Sequence, residues 1–289
     1  MTSSAEEKGC PFQKGDSEYG HTSLSYNSYL KVHDLKQLQI CQSDPAHHDE
    51  PLFIVIHQTY ELWFKLILHE IDESMGLIKN DRVRQATFLL RRVIEIMKIL
   101  VHQIHILETM SPYDFLGFRS QLNPASGFQS TQFRELEFAC GLKDRTLLEH
   151  FKNDEIAYAE MLKRFESDSL QDAFYALLTR QGFQLPAPFD VDEDDDASIG
   201  RQEERIQQLR KIYERVEDYF DLYDLAEALV TIDEQIALWR SNHATVVERV
   251  IGFKRGTGGS EGVGYLRSTL TKRCFPDLWK VRTVLEYVP

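Results

Sequence analysis

A chain of 289 residues can bury a sizeable core without staples, as one large domain or two modest ones. Its 46 acidic against 33 basic residues give a formal net charge of -13, and no lysine or arginine run is long enough to grip a phosphate backbone, which argues against nucleic acid as a partner. The four cysteines, Cys10, Cys41, Cys140 and Cys274, are scattered without a C-x-x-C pair, which argues against a cysteine-built zinc cage and suits a reducing, cytoplasmic compartment.

Residues 1–20, "MTSSAEEKGCPFQKGDSEYG", carry early acids and lack the apolar core of a signal peptide. They read as a mobile tail unless a neighbouring subunit orders them. Residues 21–289 read as a single all-helical domain. The stretch 23–42 places Leu24, Leu30, Leu35 and Leu38 among polar residues, which predicts a short helix or two with exposed tyrosines. Pro51 opens a long helix to about Asn80 with Phe53, His57, Phe64 and Leu68 near one stripe. That segment is the most apolar of the chain, but His57, Gln58, Glu61 and Lys65 interrupt it, so it predicts a buried helix and not a membrane span.

A second helix is expected from about Arg82 to Met110, with Phe88, Val93, Ile96, Leu100, Ile104 and Leu107 at helical spacing. "MSPYDFLGFRSQLNPASGFQSTQFRELEFACG" then predicts a turn, a short helix, a proline and glycine break, and a helix stopped near Gly141. Arg145 to Arg180 gives two or three more helices. The one strong composition shift, "QLPAPFDVDEDDDASIG" at 184–200, predicts a solvated acidic surface loop; its spacing does not match an EF-hand. Two long amphipathic helices follow, Arg201–Phe220 and Leu222–Gly252. Strand patterns are nearly absent and no fixed-period repeat occurs in the sequence, so an all-α bundle is expected.

The segment 239–268, "WRSNHATVVERVIGFKRGTGGSEGVGYLRS", runs a helix carrying a histidine into a loop, and together they hold six of the chain's 15 glycines. Neither a Walker A loop nor a dinucleotide fingerprint fits it, and it follows a helix where those follow a strand. Ile232, Ile236, Trp239, His243, Val246 or Val247, and Val250 recur at steps of three or four, so His243 faces the core. A histidine on an apolar stripe is more often a hydrogen-bonded core residue than a ligand. His57, however, occupies the same position on the other strongly apolar helix. Paired in-helix glutamates with repeated E-x-x-H motifs, as a di-iron bundle needs, are missing, and His102 and His105 lack a matching carboxylate set. One histidine on the iron of a macrocycle, with another on the opposite side, requires no such cluster.

At this point four stretches resemble the tryptophan 2,3-dioxygenase family in its shorter bacterial form: "SYNSYLKV", "HHDEPLFIVIHQTYELWFKLILHEI", "DFLGFRSQLNPASGFQSTQFRELEF" and "LWRSNHATVVERVIGFKRGTGGSEGVGYLRSTL". They span roughly residues 25 to 270 in family order. The resemblance implies an all-α bundle around a non-covalently bound haem b, ferrous when active. It implies insertion of both atoms of O2 across the indole C2-C3 bond of L-tryptophan to give N-formylkynurenine, the first step of tryptophan degradation by the kynurenine route. His243 matches the axial iron ligand and His57 the distal histidine that hydrogen-bonds the indole N-H. Phe53 matches an aromatic of the indole pocket, Arg119 the group that grips the substrate carboxylate, and Thr257 a hydroxyl at the amino acid's polar end. Ser126 and Gly127 match residues beside the distal haem face. Tyr26, Tyr29 and Leu30 match an N-terminal arm that closes the pocket of a neighbouring subunit in a homotetramer, a dimer of dimers. Phe115 stands where some bacterial relatives have tyrosine, which removes one hydroxyl from the pocket. The acidic loop has no counterpart in the resemblance.

These roles agree with the chemistry of the residues. A planar, permanently charged guanidinium can hold a carboxylate by a bidentate pair and reject plain indole. Glycines flanking Thr257 allow backbone to approach a ligand closely. Two other readings stay open on sequence: a helical haem protein that senses or carries tryptophan without turnover, and a cofactor-free helical interaction protein.

Overall fold

The structure, a computed structural model, describes residues 24–186, 195–256 and 262–287. The expected tail at 1–20, the acidic residues 187–194 and Thr257 lie outside the described residues. The chain divides into two units, Met1–Ile40 and Cys41–Pro289. In the first, two single-turn helices form, α1 (Tyr26–Tyr29) and α2 (Val32–Leu35). Ser25 caps α1: its oxygen accepts the Ser28 N-H at 3.2 Å, and Ser28 Oγ accepts the Ser25 N-H at 2.9 Å. Neither helix buries a residue, and Tyr26 and Tyr29 are 75% and 70% exposed, as the sparse leucines of this stretch predict.

The second unit is helical throughout, with no strand among the described residues. Its helices are α3 (Glu50–Lys79), α4 (Val83–Gln103), α5 (Pro112–Arg119), α6 (Thr131–Cys140), α7 (Glu155–Glu166), α8 (Leu170–Arg180), α9 (Asp195–Glu214), α10 (Phe220–Ile251), α11 (Val263–Ser268) and α12 (Pro276–Val284). The three longest apolar stripes pack together: α4 contacts both α3 and α10, α6 and α8 lie on α3, and α9 pairs with α12. Ile67, Ile71 and Ile78 of α3, Leu90, Val93 and Leu100 of α4, and Leu225, Leu229 and Ile232 of α10 are completely buried. Each such side chain contributes about 1.5–3 kcal/mol over an exposed one.

Helix ends follow local chemistry. Ser111 caps α5 by accepting the Asp114 N-H at 3.1 Å, with Pro112 in the first turn. Ser130 caps α6 by accepting the Phe133 N-H at 3.3 Å, and Gly141 ends it at φ 108 in the left-handed region. Buried Asp233, midway along α10, receives the Cys274 and Phe275 N-H groups and the Trp279 indole N-H, which fastens the start of α12 to the bundle.

Three expectations need correction. The helix expected over 82–110 is α-helical only to Gln103 and then tightens to a 3-10 segment, Ile104–Thr109, before the chain turns into the Ser111 cap. Phe88 is 64% exposed, because five residues place it about 140° around the helix from Val93; Ala86, Thr87 and Leu90 fill the core there instead. The acidic stretch is not loop to residue 200: α9 begins at Asp195.

Candidate functional site

A cavity of ≈ 270 Å³ opens inside the second unit, lined by α3, α5, α6, α10, α11 and the turn at 126–130. Phe53, His57, Phe115, Arg119, Ser126, Gly127 and His243, picked from sequence positions as far apart as 53 and 243, all line it. Gly256, immediately before Thr257, lines it as well. Tyr26, Tyr29 and Leu30 belong to the other unit and are exposed.

His57 projects from α3 with Nδ1 2.7 Å from the Phe53 carbonyl. A carbonyl only accepts, so Nδ1 carries the hydrogen and the neutral ring presents Nε2 as an acceptor. Burial pushes the His57 pKa below the ordinary histidine value; the Phe53 carbonyl and the charge of Glu61 act the other way without offsetting it. Phe53 lies against His57 at a centroid distance of 4.1 Å and against Phe115 at 5.6 Å, so these rings form one aromatic wall.

His243 faces the cavity from α10, one turn after Trp239, whose indole stacks on it at 4.9 Å and 24°. Phe133 backs Trp239 from the other side at 4.5 Å. Burial first, then the charges of His57 and Arg134, push the His243 pKa down to about 4. Its imidazole is therefore neutral at pH 7 and has a lone pair to give a metal.

Arg119 ends α5, and its Nη2 donates to the Arg255 carbonyl at 2.5 Å. The helix is seated by a close approach at Gly117, where a Cβ would stand 2.8 Å from Cδ2 and Nε2 of His47. His47 in turn packs on Phe118 at 5.4 Å and accepts the Asp49 N-H at Nδ1. The segment carrying His47 is tied to the start of α3, since buried Glu50 accepts hydrogen bonds from the Gln42 and Ser43 N-H groups and from the Ser43 hydroxyl.

The cavity also holds charged and polar residues that sequence reasoning passed over. Arg134 donates to Glu137 Oε2 at 2.7 Å, Arg240 donates to Glu137 Oε1 at 2.5 Å, and all three are buried. Arg134 stacks over the Phe128 ring at 4.8 Å. Two cationic groups against one carboxylate leave this end of the cavity net positive. Among the described residues the buried Arg134 Nε-H meets no hydrogen-bond acceptor within normal distance, nor does the Trp239 indole N-H, which is costly unless a ligand supplies one. A signal for Arg240 was present: it lies four residues after Ile236 and three before His243, on the buried face of α10. No group of three or more His, Cys, Asp or Glu side chains that could hold a metal occurs among the described residues.

Comparison with known proteins gives one family. The family model described as tryptophan 2,3-dioxygenase matches residues 11–184 and 196–285. A protein of Myxococcus xanthus named tryptophan 2,3-dioxygenase is 40% identical over 284 residues, covering 96% of this chain and 97% of its own. Proteins of the same name from Kineococcus radiotolerans, 40% identical over 98% of this chain and 99% of theirs, and from a Nocardioides species, 45% identical over 91% and 95%, match similarly.

Proposed function

The chain belongs to the tryptophan 2,3-dioxygenase family, and from that premise we propose that the cavity holds haem b, ferrous when active, beside L-tryptophan, and oxidatively cleaves the indole ring. The observation that carries this reading is the convergence of Phe53, His57, Phe115, Arg119, Ser126, Gly127 and His243 on one space. A sensor or carrier without turnover is not favoured by membership of a family of enzymes.

The residues present fit the cofactor. His243 would supply the nitrogen that holds the iron, with its ring orientation held by the Trp239 stack. The Arg134 and Trp239 N-H groups, which meet no acceptor within normal distance among the described residues, are donors suited to the carboxylates that haem b carries. When bound, haem b supplies the redox chemistry that O2 needs, and the protein supplies orientation and electrostatics.

Arg119 takes the substrate carboxylate, exchanging a neutral carbonyl partner for a charged one. Phe53 and Phe115 flank the indole, and Phe115 brings no hydroxyl to the carboxylate end. His57 Nε2 accepts the indole N-H. An indole N-H is far too weak an acid for a neutral imidazole to deprotonate, and burial makes this imidazole a still weaker base, so His57 orients and polarises. Ser126 and Gly127 line the cavity and would wall the space that the substrate shares with the cofactor. Thr257, which lies outside the described residues and follows the cavity residue Gly256 in the chain, meets the amino acid's polar end, as the resemblance implies.

Tyr26, Tyr29 and Leu30 complete the pocket of a neighbouring subunit in a homotetramer; their exposure on helices that bury nothing supports this. No helix among the described residues is long and apolar enough to cross a membrane, and the scattered cysteines fit a cytoplasmic setting. The test is direct: anaerobically reduced protein mixed with tryptophan and air develops the absorbance of N-formylkynurenine. Failure at full haem occupancy overturns the reading.

A further inference from the structure

Glu61 joins two walls of the cavity. It lies one turn after His57 on α3, and both side chains line the same space. The Ser130 hydroxyl donates to Glu61 Oε1 at 2.6 Å, while Gln132 Nε2 donates to Glu61 Oε2 at 2.8 Å and to the Glu61 carbonyl at 3.0 Å. Ser130 is the cap of α6, and its own N-H closes the preceding 3-10 turn on the Gly127 carbonyl at 3.2 Å. Within that turn the Ser126 N-H donates to Gln129 Oε1 and Ser126 Oγ accepts the Phe128 N-H. Residues 126–132 are thus one hydrogen-bonded unit hooked onto α3 through a single glutamate.

A glutamate placed only to anchor α6 could sit anywhere on the interface between α3 and α6. This one stands at the cavity surface, and its carboxylate oxygens accept from the neutral side chains of Ser130 and Gln132. Its four-residue offset from His57 puts it on the same helix face, one turn along. We propose that Glu61 is a positioning residue for the reaction: it fixes the gap between His57 and the Ser126–Gly127 wall, and so sets how the indole sits against Nε2 of His57. The inference rests on the role given to His57 above.

The test uses haem-loaded wild type, Glu61→Gln and Ser130→Ala. Glu61→Gln keeps the size but turns an N-H2 toward one of the two donors; Ser130→Ala keeps the carboxylate and drops one tether. KM for tryptophan is expected to rise about 10-fold in Glu61→Gln and several-fold less in Ser130→Ala, the size of one or two hydrogen bonds, with kcat per haem changing less. Discrimination between tryptophan and 1-methyltryptophan narrows, and the C-O stretch of the ferrous carbonyl adduct formed with tryptophan bound shifts. Wild type that turns tryptophan over while both variants keep its KM, discrimination and C-O stretch overturns the proposal alone. So does a loss explained entirely by lower haem content with per-haem parameters unchanged, which is a purely structural role. Wild type inert toward tryptophan overturns the functional reading and this proposal with it.

Discussion

Arg119 at the end of α5 donates to the backbone carbonyl of Arg255, two residues before Thr257. The group read as the carboxylate grip is therefore occupied by a neutral acceptor that a carboxylate can outcompete, since charge-assisted bonds are about twice as strong. Replacing Arg119 with lysine keeps the charge but loses the planar fork. We expect kcat/KM for tryptophan to fall about 10- to 100-fold in Arg119→Lys, the worth of a hydrogen bond to a charged group. With tryptamine, which has no carboxylate, the loss should be small. Equal losses for both substrates would remove the carboxylate role.

His57 Nε2 is an acceptor because Nδ1 is committed to the Phe53 carbonyl. If it only holds the indole N-H, His57→Ala lowers kcat/KM by about 10-fold, again the worth of one hydrogen bond, and leaves turnover measurable. Complete loss of turnover with normal tryptophan binding would make His57 an obligatory proton acceptor.

Burial lowers the pKa of both cavity histidines from 6.5, that of His243 to about 4. Below pH 6.5 the unfolded chain takes up protons that the folded apoprotein refuses, so their contribution to stability is complete above that value and declines as pH falls toward 4. Below about 4 the His243 share of the decline ends, because the folded form protonates too. Urea midpoints of apoprotein at pH 7.5, 6 and 5 should fall more steeply for wild type than for His243→Leu; parallel curves would contradict the burial of a neutral ring. In the holoprotein His243→Ala should lose its haem Soret band, and retention of a normal five-coordinate histidine spectrum would mean another ligand.

Periodicity made His57 and His243 legible, because a polar residue that keeps step with Ile232, Ile236 and Trp239 has to face the core. Phe88 breaks that step: its angle around α4 turns it from the buried stripe to solvent. The buried Arg134 and Glu137 were illegible because Q-F-R-E-L-E-F has the composition of a solvated helix face; Arg240 keeps step with the stripe of α10, but its pairing with Glu137 joins residues 103 apart. Glu61 was noted only as an interruption of an apolar run, since its partners Ser130 and Gln132 lie across the fold. The helix stop at Gly141 was readable locally; where the α-helix tightened after Gln103 was not, because that depends on how the chain must turn into α5.

Gly117 lies two residues from both Phe115 and Arg119, and His47 packs where its Cβ would be. In an open helix Gly→Ala would stabilise by about 1 kcal/mol. Here the added methyl must displace an imidazole held by the Asp49 N-H and the Phe118 ring. Gly117→Ala should instead destabilise by about 1–3 kcal/mol, the usual cost of overpacking, and raise KM for tryptophan by moving Arg119. His47→Ala removes the obstacle, so in that background Gly117→Ala should become neutral or stabilising and restore KM. Urea unfolding and tryptophan kinetics across the four proteins read the coupling directly. Strictly additive losses would mean that His47 does not seat α5, and that the helix carrying Arg119 is set by its contacts with α10 instead.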